Sequence, residues 1–211
     1  ADFTPPYNPW EQRLCLVPDA DFFEAIKAGK ASVVTDHIEK FDKTGITLKS
    51  GKHLDADIIV TATGLKLAVA GKIAVSVDGK AVDFAKHYYY RNCMFSNVPN
   101  LAAVFGYLNA SWTLRVDIIG DYLTRLLKQM DAIHAQTAIP VMPEGQEPEE
   151  DDIFDFSSGY IQRGKHMMPR NAASLPWRLN QDYRKDRQDM RQAPLDDGVM
   201  QFRRVRQPVD A

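Results

Sequence analysis

Residues 57–64 read Asp-Ile-Ile-Val-Thr-Ala-Thr-Gly, a block of strand-forming side chains that runs without a break into a turn of small residues. An unbroken apolar run, rather than an alternating one, predicts a parallel strand covered on both faces. Gly64 removes the Cβ that would hold a second backbone or a ligand away. A strand of this kind calls for βαβ neighbours upstream, and the sequence before it offers only a helix and a short meander. The chain is therefore expected to begin inside a domain.

The chain has 211 residues, 45% hydrophobic and 26% charged, enough for one large domain or two small ones. A net charge of −2 gives no field to gather nucleic acid. Cys15 and Cys93 are too few for a disulfide framework and read as buried small hydrophobes in a reducing compartment. No basic start with an apolar core marks a signal peptide, and no run is long enough to span a membrane. These features predict a cytoplasmic protein. His37, His53, His87, His134 and His166 are scattered without metal-ligand spacing, and no Gly-x-Ser-x-Gly is present.

Along the chain, the first 18 residues are rich in proline and aromatic rings and predict an irregular packed segment. Asp19 or Asp21 can cap a short helix through about Ala28, ended by Gly29. Three strand-like runs follow, at 31–41, 45–49 and 53–61, with turns at Thr44-Gly45 and Ser50-Gly51. Further extended runs occupy 69–77 and 98–106, the second ending in Gly106. A helix is predicted from about Leu114 to His134, with Val116, Ile119, Leu123, Leu126, Leu127 and Met130 as its apolar stripe. Strand, glycine, small polar cap and helix is the order that points backbone N–H groups at an electron-rich ligand. Residues 140–155 read as an acidic solvated loop. The charge-alternating stretch at 184–189 reads as an exposed helix or wrapping segment.

Four motifs in order carry a resemblance along nearly the whole chain: residues 7–15, Tyr-Asn-Pro-Trp-Glu-Gln-Arg-Leu-Cys; residues 57–64; Val98-Pro99-Asn100-Leu101 with Asn109-Ala110-Ser111-Trp112-Thr113-Leu114; and residues 158–163, Ser-Gly-Tyr-Ile-Gln-Arg, with Pro176-Trp177. Together they resemble the C-terminal portion of the FAD- and NADPH-dependent Baeyer–Villiger monooxygenases, of the ethionamide-activating type. The resemblance implies an α/β fold: the C-terminal part of a Rossmann-like flavoprotein with two dinucleotide-binding domains, with a three-stranded meander and a long helix, its domains incomplete. Residues 1–64 would complete the NADPH-binding domain and 65–140 the FAD-binding domain, and 141–211 would form an acidic linker and wrapping tail. The family's Gly-x-Gly-x-x-Gly turns and its Phe-x-Gly-x-x-x-His fingerprint do not occur in this sequence. The chain therefore looks like a piece that is inactive by itself, does not hold FAD or NADPH tightly, and has the N-terminal half of the same enzyme as its partner. Exposed apolar surface left by that half would favour self-association.

By the same resemblance Arg13 is the catalytic residue, reaching the flavin edge where a peroxide anion is held for attack. A guanidinium stays charged at any working pH and offers several donors. Composition alone equally allows a surface arginine paired with Glu11 or Asp19. Gln12 stands where some relatives carry a lysine for the cofactor phosphate. Asn109, Ala110, Ser111, Trp112 and Thr113 would face the flavin's pyrimidine end, and Trp112 fits either a wall of the substrate pocket or a core residue. Thr61, Ala62, Thr63 and Gly64 would lie near the cofactor at the return between domains. The implied reaction uses NADPH and O2 to insert oxygen into a ketone, or to oxidise a thioether or amine. A sulfur- and nitrogen-oxygenating relative and a non-catalytic interaction module remain as alternatives.

Overall fold

A computed structural model describes residues 2–8, 11–12, 16–108, 110–152 and 157–204. The chain divides into two compact units, one within residues 1–65 and one within 66–211.

The first unit holds α1 (Asp21–Lys27) and three strands, β1 (Ile38–Phe41), β2 (Gly45–Leu48) and β3 (His53–Asp55), antiparallel in sequence order. No side chain caps α1: the residue before it is Ala20 at φ +57°, and Asp21 lies inside the first turn, where its charge faces the helix dipole. Gly29 at φ +70° ends the helix, donating to the Ile26 carbonyl at 3.0 Å, while Lys30 donates to Ala25 at 2.9 Å. The β1–β2 turn is built around the Asp42 carboxylate, which accepts from the N–H groups of Thr44 at 3.0 Å and Gly45 at 3.1 Å. The Thr47 hydroxyl adds a bond at 3.1 Å and His53 Nε2 lies 3.2 Å away. The Thr44 N–H first, then His53 and the threonine hydroxyl, hold Asp42 far below the usual carboxylate range. Gly45 is fixed by close approach, since a Cβ there would stand 1.9 Å from the Leu54 carbonyl oxygen across the ladder.

Residues 57–60 correct the strand expected there. Among the described residues no strand pairs with them, and Ile58 and Val60 are each 83% exposed. Strand propensity becomes a strand only when a neighbour supplies the ladder and the cover. Residues 31–37 likewise precede the first strand instead of belonging to it.

The second unit contains β4 (Ser76–Val77), β5 (Lys80–Ala81), β6 (Tyr89–Tyr90), β7 (Met94–Phe95), α2 (Trp112–Ala132), β8 (Thr137–Pro140), α3 (Gly159–Gly164), α4 (Tyr183–Gln192) and β9 (Met200–Arg203). Each sheet here is one antiparallel pair: β4 with β5, β6 with β7, and β8 with β9. Asp78 and Gly79, both at positive φ, make the two-residue hairpin between β4 and β5. The run at 69–77 is a helical turn at 69–72 and, at its end, the two strand residues of β4. The expected strand at 98–106 is extended but unassigned to any sheet. Leu101, Ala103 and Phe105 are half-buried on one side, and Ala102 and Val104 are exposed on the other.

Helix α2 buries Arg115, Ile118, Ile119, Tyr122 and Leu126. That stripe is rotated from the expected one, leaving Val116 47% and Leu127 59% exposed. The rotation follows from what covers the helix: α4 lies against α2, and Tyr90, Met94, Trp177, Met190 and Met200 share its core. The charge-alternating tail is therefore not wholly exposed, because Asp186 and Met190 of α4 are buried. Asp182 caps α4, accepting from the N–H groups of Arg184 at 2.9 Å and Lys185 at 3.1 Å. At the other end, Arg125 of α2 donates to the carbonyls of Met190, Arg191 and Ala193 at 3.0, 2.9 and 2.6 Å. This satisfies carbonyls that a helix C-terminus leaves without partners. The acidic loop is anchored too: Glu150 bridges to Ala172 and pairs with Arg170.

Candidate functional site

The second unit gathers the expected turn, a buried ion pair and an apolar cavity at the first turn of α2. Ser111 is the residue before the helix, at φ −63° and ψ 135°, and its side chain does not cap the helix. Its Oγ lies 2.7 Å from Thr113 Oγ1 instead. No acidic residue occupies the first turn. The N-terminal dipole of a 21-residue helix is therefore not countered by its own side chains. Asn109 lies outside the described residues.

The Trp112 ring stands directly on the Gly106 backbone, where a Cβ would meet Trp112 Cγ at 2.1 Å. Its ring centroid is 5.4 Å from that of Phe105. Trp112 is 45% exposed, yet it also lines a cavity of about 270 Å³ with Leu67, Phe84, Phe95, Phe105 and Met168. Trp112 thus lines a cavity and keeps a half-exposed face.

One turn into α2, Arg115 is fully buried and its Nε lies 3.2 Å from Asp186 Oδ2. Its guanidinium donates to the Phe105 carbonyl at 3.1 Å and to the Asn180 carbonyl, and stacks over the Tyr107 ring at 3.9 Å. Asp186 also accepts from the Tyr107 hydroxyl and the Asn92 amide. Burial pushes the Asp186 carboxyl up, against the pull of Arg115 and Tyr107. Burial also raises the Tyr107 phenol. The network ties 105–107, the start of α2 and α4 into one scaffold behind the turn. It was not anticipated, although an arginine three residues before Ile118 on a helix face that is otherwise apolar is a visible signal of a buried charge.

Arg13 and Cys15 lie outside the described residues. Thr61, Ala62, Thr63 and Gly64 belong to the first unit and are exposed. Gly64 has φ +107°, which demands glycine, but a Cβ there would meet nothing within 4 Å, so no close approach is made to it among the described residues. Cys93 is fully buried, and burial pushes its thiol up to about 12. Among the described residues no helix is long and apolar enough to cross a membrane, and no His, Cys, Asp and Glu group could hold a metal ion.

Nothing matches this chain among protein-family models, nor among solved structures. Curated relatives do match it. A probable FAD-binding monooxygenase, AlmA of Acinetobacter baylyi, is 50% identical over 203 residues, 95% of this chain and 40% of the relative. The FAD-containing monooxygenase EthA of Mycobacterium tuberculosis is 44% identical over 207 residues, 98% of this chain and 42% of the relative. The putative FAD-containing monooxygenase MymA of the same organism is 45% identical over 204 residues, 96% and 41%. The chain spans about two fifths of the length of these relatives. Identities of this size run along almost the whole chain and make it similar to a part of proteins named FAD-binding or FAD-containing monooxygenases.

Proposed function

We propose that the whole protein is an FAD- and NADPH-dependent monooxygenase and that this chain is its C-terminal portion. The observation that carries the reading is the identity along at least 95% of the chain to proteins named for FAD and monooxygenation. Bound FAD, reduced by NADPH, supplies the activation of O2 and the transfer of one oxygen atom to a ketone, a sulfur or a nitrogen centre.

Residues 1–64 complete the NADPH-binding domain, 65–140 complete the FAD-binding domain, and 141–211 form the linker and wrapping tail. The residues present fit an electron-rich ring system: the start of α2 presents backbone donors with no acidic side chain in its first turn. Gly106 leaves the space that Trp112 fills beside it. Ala110, Ser111 and Thr113, with Asn109, orient the flavin's pyrimidine end through those donors. Arg13 holds negative charge at the flavin edge where oxygen is activated, with donors that no working pH removes. Thr61, Ala62, Thr63 and Gly64 lie against the cofactor at the return between domains. The chain alone holds neither cofactor tightly, and its partner is the remaining three fifths of the protein.

The test is to purify this chain with and without the remainder of its protein and record bound-flavin absorbance and NADPH oxidation. Flavin and turnover are expected only with the remainder present. A flavin-loaded, NADPH-oxidising chain by itself refutes the portion's incompleteness, and absence of flavin in the complete protein refutes the reading altogether. Products from a cyclic ketone and from a thioether then separate insertion of oxygen beside the ketone carbonyl from oxidation at sulfur.

A further inference from the structure

Residues 106–108 lead into the first turn of α2 with no ladder or turn of their own to hold them. Among the described residues Gly106, Tyr107 and Leu108 make no backbone-to-backbone hydrogen bond. Two side chains of the C-terminal tail hold them instead: Asp186 accepts from the Tyr107 hydroxyl, and Gln181 Oε1 accepts from the Leu108 N–H at 3.0 Å. Leu108 lies just ahead of a helix start that no side chain caps, so its position sets the course of the chain into those first N–H groups.

Gln181 is presented from a pinned backbone. The Asn180 N–H donates to Asn92 Oδ1 at 2.8 Å, the Asn180 carbonyl accepts from the Arg115 guanidinium, and the Asp182 N–H donates to Asn180 Oδ1 at 3.1 Å. Asp182 then caps α4. A side chain on such a base cannot follow the 106–108 segment, so the segment follows it.

The choice of side chain is informative. Gln181 Nε2 is buried without a partner among the described residues, a costly arrangement that an apolar residue of similar size would avoid. A glutamate would accept from Leu108 more strongly, but it would set a negative charge behind donors turned toward an electron-rich ring. Asp186 reaches the same segment only with its charge matched by Arg115. Glutamine supplies the acceptor and leaves the charge unchanged.

We propose that Gln181 is a positioning residue for the turn at the start of α2: it fixes the Leu108 N–H, and through it the direction of the donors offered to the flavin's pyrimidine end, without adding charge behind them. The flavin as recipient rests on the monooxygenase reading.

The test compares Gln181→Met, which has a similar reach and no comparable acceptor, with Gln181→Glu, which keeps the acceptor and adds charge. In the 211-residue chain without flavin, exchange of the Leu108 amide is expected to be about tenfold faster for Gln181→Met and unchanged for Gln181→Glu. In the complete flavin-loaded protein, Gln181→Met is expected to weaken FAD about tenfold and to shift the visible flavin band, with the thermal midpoint kept. Gln181→Glu is expected to hold FAD as the native protein does and, at mildly alkaline pH, to lower the flavin's reduction potential, since a nearby anion disfavours the negative charge that reduction brings. Gln188→Met, on an exposed part of α4, is expected to change none of these. If Gln181→Met does not fold, Gln181→Asn withdraws both polar atoms by one methylene and is expected to give the same result. Native Leu108 exchange without the acceptor overturns the inference. Faster exchange with native FAD affinity and potential, or a Gln181→Glu variant that loses FAD as Gln181→Met does, overturns it as well. A complete native protein that holds no flavin refutes instead the reading on which the inference rests.

Discussion

Arg115 Nε and Asp186 Oδ2 lie 3.2 Å apart with both side chains essentially without solvent contact, joining the first turn of α2 to the first turn of α4. Two charges withdrawn from water this completely are held by their mutual attraction and by the polar groups that surround them. Asp186→Ala leaves the guanidinium buried without a counter-charge and is expected to lower stability by about 3–5 kcal/mol. Adding Arg115→Met to that variant should recover part of the loss. Urea denaturation of the two single variants and the double variant measures the coupling, and strictly additive losses would contradict it.

Trp112 and Gly106 form a second pair that can be tested independently. Gly106→Ala drives a methyl group into the indole, so the ring must leave its position. A loss of about 1–3 kcal/mol is expected, of the size seen for overpacking. Changed tryptophan emission should accompany it. With Trp112→Ala as background, the same substitution should cost far less.

Gly45 controls the first unit in the same way. Gly45→Ala places a methyl group on the Leu54 carbonyl, which should separate β2 from β3. Hydrogen exchange is expected to accelerate at residues 45–55 and to stay unchanged across α2 and α4, since the two units are compact separately.

Acid stability follows from Asp197. Burial pushes its carboxyl up, but the Met200 and Val199 N–H groups, Arg91 and the Tyr90 hydroxyl together bring it below the ordinary value. Arg91 Nη2 and the Tyr90 hydroxyl each lie 2.8 Å from Asp197 Oδ2. A carboxyl depressed by folding contributes stability that is full above its unfolded pKa of about 3.9 and is lost as pH falls through the lower folded value. The stability gap between the native chain and Asp197→Asn should therefore be constant from pH 7 to about 5 and narrow below about 4. Thermal melts across that range would show it, and a gap that widened in acid would refute it.

The long helix, the α1 helix with its glycine stop and the three strands of the first unit could all be read from periodicity and turn residues, because each depends on neighbours close in sequence. The runs at 57–61 and 98–106 could not. Their side chains favour a strand, but a strand also needs hydrogen-bonding neighbours, and none pairs with them among the described residues. The α2 stripe was right at Ile119, Leu123, Leu126 and Met130 and missed at Val116 and Leu127 for a related reason: the helix is apolar over more than one face, and the position of α4 decides which face is covered. At the site, the helix following residues 109–113 was legible, although it begins at Trp112 and no Ser111 side-chain bond caps it. The Arg115–Asp186 pair and the contributions of Leu67 and Met168 to the cavity were not, because they join segments far apart in the chain.

Strands β8 and β9 lie side by side, with Thr137 opposite Arg203 and Pro140 opposite Met200. Everything between them is thus a closed circuit, stitched to the body by Arg125, Arg170 and Asp186. A protease cutting once within residues 144–147 would sever the covalent chain yet release no fragment. The same arrangement makes that loop a natural place for new termini in a circularly permuted protein.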